Sequence, residues 1–230
     1  MKKVKFLVFA ITLFPGLIAA QGFNFDIGFA LGTPQGSFHQ SLERNAYGLD
    51  MSATYQIPRS PIHFGIGGIY QNFGWDERTE FFSPDIQEVR VKVRTTNNMF
   101  TPHFIMRFEP EYGMIKPFVE GLVGFNYLYT QSSVVDGWDD DELASTVNHD
   151  YYTPSYGIGG GMKFRLYEGY DEDGDFIGFS IIVKAKYMLG GEADYLKEGD
   201  LIRTRRGLDY NLSRSRTDLT TFNVGFVFNF

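Results

Sequence analysis

The sequence predicts an all-β fold: an eight-stranded antiparallel up-and-down barrel whose strands cross a membrane. Three observations predict it. From Phe222 to Phe230 every second residue is large and apolar. The first twenty residues are a short basic region followed by an apolar run. Between these ends, eight alternating segments are joined by connections that are short and long in turn.

Met1-Lys2-Lys3-Val4-Lys5 is basic, and Phe6 to Ala20 is apolar except for Thr12 and the Pro15-Gly16 pair. This is the pattern of a secretory signal peptide, residues 1–20, removed near Ala20/Gln21. About 15 apolar residues fall short of the ~20 that a spanning helix needs. Residues 21–230 form the second unit, the barrel. No cysteine is present, which excludes disulfide and thiolate chemistry and a lipid-bearing cysteine after the leader. Loss of Lys2, Lys3 and Lys5 takes the formal charge from -7 to about -10, a poor balance for nucleic-acid binding. The chain holds 26 Gly, 23 Phe and 14 Tyr. No later stretch is long and apolar enough for a transmembrane helix. A membrane role then falls to strands, because only helices and closed barrels satisfy their backbone in lipid.

The first strand runs from Phe23 to Gly32. Phe23, Phe25, Ile27, Phe29 and Leu31 share one face; Asn24, Asp26, Gly28, Ala30 and Gly32 share the other. A polar loop, Thr33 to Asn45, leads to the second strand, Ala46 to Ile57, with Tyr47, Leu49, Met51, Ala53 and Tyr55 outward and Asp50, Ser52, Thr54 and Gln56 inward. Pro58-Arg59-Ser60-Pro61 is a tight turn. The third strand spans Ile62 to Gly74, where Gly67-Gly68 disturbs the register and suggests a bulge. Trp75 to Gln87 is a loop. The fourth element alternates over Glu88–Arg94 and again over Phe100–Phe108, interrupted by Thr95–Asn98 and by Pro102, which lacks a ladder donor. Its first half is expected above the membrane and its second half across it.

Glu109 to Gly113 is a short turn. The fifth strand, Met114 to Thr130, turns Pro117, Val119, Gly121, Val123, Phe125, Tyr127 and Tyr129 to one face. Gln131 to Asp150 is a long acidic loop. The sixth strand, Tyr151 to Tyr167, places Tyr152, Tyr156, Ile158, Met162, Phe164 and Leu166 outward and Ser155, Gly157, Gly159, Gly161, Lys163 and Arg165 inward. After the turn Glu168–Asp175, the seventh strand, Phe176 to Leu189, sets Ile177, Phe179, Ile181, Val183, Ala185 and Tyr187 against Ser180, Lys184 and Lys186. A loop from Gly190 leads to the terminal strand.

The terminal alternation, the aromatic end and the regular alternation of loop lengths resemble the small eight-stranded bacterial outer-membrane proteins of the OmpA/OmpX kind. More narrowly, the chain resembles the outer-membrane β-barrel domain of Bacteroidota, with Leu189-Gly190-Gly191-Glu192-Ala193-Asp194-Tyr195-Leu196 and Ser215-Arg216-Thr217-Asp218 its most distinctive stretches. The resemblance implies location in the outer membrane, short periplasmic turns and long extracellular loops. It also implies that Phe230, with Phe228, is the signal read by the barrel-assembly machinery during insertion. Expected partners are outer-membrane lipid and other outer-membrane proteins, with no nucleic acid and no cofactor.

An eight-stranded barrel is only wide enough for side chains to fill it. The inward charges Asp26, Asp50, Arg107, Glu120, Lys163, Arg165, Lys184 and Lys186 must then be paired, and they are expected to form a network that plugs the lumen. The alternative is a small pore lined by Lys and Arg. In the loops, Asp139, Asp140 and Asp141 form an acidic cluster, and Arg203, Arg205 and Arg206 a basic one; these are the expected contact residues. Asp171-Glu172-Asp173-Gly174-Asp175 has carboxylates at alternate positions, but Phe176 and Ile182 stand where a calcium loop needs Gly and Glu, so no metal site is expected.

Some small barrels of this kind are lipid-modifying enzymes with a rim histidine. The histidines here are His39 (near Ser37), His63, His103 (near Thr101) and His149 (beside Asp150). A hydrolase needs a base in reach of a nucleophile, and no local motif marks one. The expected function is a non-enzymatic envelope barrel, structural or an accessory subunit of a larger outer-membrane complex.

Overall fold

A computed structural model describes residues 22–42, 44–83, 86–135, 142–170, 176–204 and 207–230. The signal-peptide expectation, Asp139–Asp141, the Asp171–Asp175 turn, Arg205 and Arg206 lie outside these residues.

Eight strands close a barrel: β1 (Phe23–Pro34), β2 (Ala46–Gln56), β3 (Ile62–Ser83), β4 (Ile86–Phe108), β5 (Ile115–Val135), β6 (Glu142–Tyr170), β7 (Phe176–Gly190) and β10 (Leu219–Asn229). Each pairs antiparallel with its chain neighbour, and β1 pairs with β10 to close the ring. The closing register runs from Asn24 opposite Asn229 to Pro34 opposite Leu219. Closure removes every sheet edge within the ring.

Alternation decides which residues go where. The outward set Phe29, Leu49, Ile66, Phe104, Val123, Ile158, Val183 and Val224 is exposed, while Asp26, Asp50, His103, Arg107, Glu120, Lys184 and Asn223 on the same strands are buried. Apolar-out and polar-in is the reverse of a water-soluble sheet, which buries its apolar face. Aromatics gather at both heights of the outer surface. Tyr47, Tyr70, Tyr152 and Tyr187 stand on the side of the long connections; Tyr55, Phe64, Phe108 and Phe228 stand on the side of the tight turns. Tyr127 stacks on both Tyr129 and Tyr152, with ring centroids 5.3 and 4.5 Å apart.

The structure differs from the sequence reading at several connections. Gln131–Asp150 is not a loop as far as it is described, because β5 continues to Val135 and β6 begins at Glu142, the two pairing with each other. Trp75–Gln87 is not a loop as far as it is described: β3 continues to Ser83 and pairs with β4. A two-stranded ribbon in solvent can be polar on both faces, so hydropathy did not mark it. The Gly67-Gly68 pair is no bulge, because Gly67 faces His103 and Gly68 faces Pro102 in unbroken register. The shift comes later, between Asn72 and Trp75, where Gly74 takes φ +90°. The Gly190–Ser213 loop is a hairpin of β8 (Glu192–Thr204) and β9 (Gly207–Arg216), outside the ring. The Thr33–Asn45 loop carries a short helix, α1 (Gly36–Leu42).

The expected interruption of the fourth element at Thr95–Asn98 is absent, since these residues pair with β5 as part of one continuous strand, and at Pro102 it is confined to one side. β4 runs through Pro102, but its pairing with β5 skips from Phe100 opposite Tyr127 to His103 opposite Gly124, where the proline has no N–H to give.

Candidate functional site: the charged interior

The interior is layered. At the upper mouth, Phe38 of α1 is fully buried against Ala46, Phe73, Met99, Leu128, Ala193 and Leu219, with its ring 5.6 Å from and edge-on to that of Phe73. Arg44, just after α1, donates from Nη1 to the carbonyl of Trp75 and ties this segment to β3. Two smaller apolar clusters lie within the ring: Ile105, Leu122 and Met188, and Phe118, Ile182 and Val227. Polar groups fill the intervals. Thr101 Oγ1 donates to Asn126 Oδ1, whose amide donates to Thr217 Oγ1, both at 2.9 Å.

The charged residues join across the lumen. Arg107 Nη2 lies 3.0 Å from Asp26 Oδ2, its Nε 2.9 Å from Glu120 Oε2 and its Nη1 3.9 Å from Glu109 Oε2. Lys163 Nζ lies 2.5 Å from Glu109 Oε1. Lys184 bridges Asp26 at 3.4 Å and Asp50 at 3.1 Å, and Lys186 reaches Asp50 at 2.9 Å. Ser52 donates to Asp26 at 2.8 Å. The Arg107 guanidinium also lies 4.5 Å from the Phe118 ring centroid, a cation–π contact.

The connected set therefore runs Lys163–Glu109–Arg107–Asp26–Lys184–Asp50–Lys186, with Glu120 on Arg107. Four cations face four carboxylates, and the set is formally neutral. Desolvating each ion costs several kcal/mol. Here every charge has a counter-charge, and Arg107, Lys184 and Asp26 each touch more than one.

Of the sequence-predicted lumen residues, Asp26, Asp50, Arg107, Glu120, Lys163, Lys184 and Lys186 meet in this set. Arg165 does not. It keeps the inner-face register opposite Ser180 but stands at the lower mouth, half-exposed, where it pairs with Glu168. Glu109 is the member the sequence reading missed, because it was taken as the first residue of a turn. The signal was present: Thr101, His103, Ile105, Arg107 and Glu109 are spaced by two, and all are buried.

Phe230 closes the lower rim through its backbone. Its carbonyl accepts from the amides of Gly22 and Phe23, and its amide donates to the Phe23 carbonyl. The Phe228 side chain faces outward and lies 5.5 Å, centroid to centroid, from Phe179. Arg203 belongs to β8, and its side chain lies outside the described set.

His63 and His103 are buried inside the wall rather than at the rim. His103 Nδ1 is 2.9 Å from the Thr101 carbonyl, not from its hydroxyl. Ser37 and His39 are two apart on α1 and so diverge around the helix. Among the described residues no group of three or more His, Asp or Glu side chains could hold a metal ion.

Fold and interior define a class: a small eight-stranded transmembrane β-barrel, apolar outside and charged within. No protein-family model and no curated protein matches the chain. Among solved structures it is similar to Ail, the attachment invasion locus protein of Yersinia pestis, solved in complex with the heparin analogue sucrose octasulfate, at 12% identity and a TM-score of 0.42, covering 92% of this chain and 100% of that one. It is also similar to Neisserial surface protein A, at 10% identity and a TM-score of 0.39, covering 91% of this chain and 97% of that one.

Proposed function

We propose that the protein is a non-enzymatic integral barrel of the bacterial outer membrane, structural or an accessory subunit of a larger outer-membrane complex, with a lumen plugged by its own side chains. The observation that carries this reading is the neutral ion-pair set spanning the interior. A conducting path needs a continuous water-filled lumen, and here the cations are bound across it to carboxylates at 2.5 to 3.4 Å along most of the chain of contacts. Contacts then fall to the parts beyond the membrane. Crossing takes a strand of about 9–11 residues, whereas β3, β4, β5 and β6 have 22, 23, 21 and 29. Their upper parts stand outside the bilayer beside α1 and the β8–β9 hairpin. Lipid covers the belt, and the barrel-assembly machinery reads the terminal strand with Phe228 and Phe230.

The experiment is purification of the tagged protein from native outer membranes in mild detergent, followed by reconstitution in planar bilayers. The expected result is outer-membrane fractionation with no unitary conductance. Steady single-channel steps would overturn the plugged lumen, and recovery in the soluble fraction would overturn the membrane location. Stoichiometric co-purifying chains would select the subunit role over the structural one.

A further inference from the structure

Beyond the ion-pair set, the lower mouth of the barrel holds a recess of about 310 Å³. It opens where β1 begins and β10 ends, the side of the tight turns. Three cations line it, Lys116, Lys163 and Arg165, with Asn24, Gln56 and Asn229 contributing amides. Glu111 and Glu168 line it too, so its walls carry both signs.

The cations are placed against one another. Lys116 and Lys163 are direct cross-strand partners on the inner face of β5 and β6, and like charges directly opposite are destabilising. Arg165 follows Lys163 by two residues on the same strand. The nearby carboxylates are largely committed. Glu109 takes Lys163, and Glu168 takes Arg165. Lys116 is half-buried, donates to the Glu111 backbone carbonyl at 2.7 Å, and has no carboxylate within ion-pair distance among the described residues. Lys163 is 3% exposed and still forms part of the recess wall. An ammonium has three donors, and Lys163 spends one on Glu109.

We propose that this recess is a binding site for a small oxyanion, the phosphate or carboxylate group of a solute that reaches the lower mouth. Lys116 is the principal counter-charge, Lys163 lies at the buried floor, and the Asn24, Gln56 and Asn229 amides serve as neutral donors. A compact anion beside Lys116 adds a counter-charge on the side of the pair that Glu109, bound to Lys163, does not reach as an ion pair. Lysine suits this role because it acts as a point charge on phosphate without demanding planar geometry. In the outer-membrane orientation this mouth faces the periplasm, but the site itself does not depend on that orientation.

The test uses the full chain in non-ionic micelles. Inorganic phosphate and, separately, N-acetylglycine are titrated at constant ionic strength, and backbone and side-chain amide shifts are followed. The expected result is saturable shifts at Gln56, Ser180 and Asn229 with one or both probes, the stronger naming the source as phosphate or carboxylate. Lys116→Gln is expected to weaken binding by about tenfold or more, the loss of one charge-assisted hydrogen bond. Lys92→Gln, far up β4, leaves it unchanged. Lys116 lies outside the ion-pair set, so the variant is expected to keep its thermal unfolding midpoint. Shifts that never saturate, or an affinity indifferent to Lys116→Gln, would overturn the site, as would silence to both probes.

Discussion

Arg107 on β4 and Asp26 on β1 meet at 3.0 Å across the lumen although 81 residues separate them. They stand on strands three apart in the ring, so this bond braces walls that share no ladder. Replacing Arg107 by Leu leaves Asp26, Glu109 and Glu120 buried with their shared cation gone. The expected loss is about 3–5 kcal/mol of folding free energy, read from urea unfolding in phospholipid vesicles. Exchanging a whole pair for apolar residues of similar volume should cost less than either single change.

The outward face gives a sharper prediction. Val224 lies at the middle of β10 and is exposed. In a lipid belt, Val224→Arg costs about 2–4 kcal/mol, while a change near the interface such as Tyr47→Arg costs about 0–1. In water both would be close to neutral. Comparing the two variants in vesicles therefore measures whether the belt faces lipid; equal and negligible costs would defeat the membrane assignment.

Gly28 and Gly225 face each other across the β1–β10 seam. A Cβ at Gly225 would stand 2.3 Å from the Ile27 carbonyl oxygen, and one at Gly28 would stand 2.6 Å from that of Val224. Both obstacles are backbone, so nothing yields easily. Gly225→Val is expected to stop closure, visible as loss of the compact, heat-modifiable band on gels of unboiled samples, whereas Gly121→Val, with open space around its Cβ, keeps it.

Phe38 anchors α1 in the upper mouth. Phe38→Ala removes a fully buried ring, a change that costs about 3–5 kcal/mol when surroundings do not collapse. A helix of seven residues has little stability of its own. The expected signature is local: faster amide exchange and proteolysis over α1, with the strands unchanged. A uniform drop in protection across the barrel would show instead that α1 is part of the global folding unit.

The ring was legible in the sequence because a two-residue period is enforced wherever one face meets lipid and the other the lumen. The charges Asp26, Asp50, Lys184 and Lys186 stood out as polar intruders in that period. What lay above the ring was not legible. The β8–β9 hairpin and the upper parts of β3 and β4 meet water, where either face tolerates polar residues and no period is imposed. Glu109 escaped for a related reason: the turn was begun one residue too early, at a position where the inner face was still running. Gly67-Gly68 misled because glycine in a strand has two uses. Here a Cβ at Gly67 would stand 2.8 Å from His103 Nε2 and one at Gly68 3.0 Å from the Phe100 ring, so the pair makes space for neighbours rather than shifting register.

The seam between β1 and β10 also sets an order of events. β1 finds its second partner only when β10 has been made, as the Phe23 amide to Phe230 carbonyl bond requires. Until then one side of β1 has no ladder, and neither lipid nor a neighbouring strand can satisfy it. Contacts this distant in sequence make closure the slow step. The chain must therefore be held open and unaggregated for the whole interval, and a truncation of the last few residues would leave a sheet with two bare edges rather than a slightly shorter barrel.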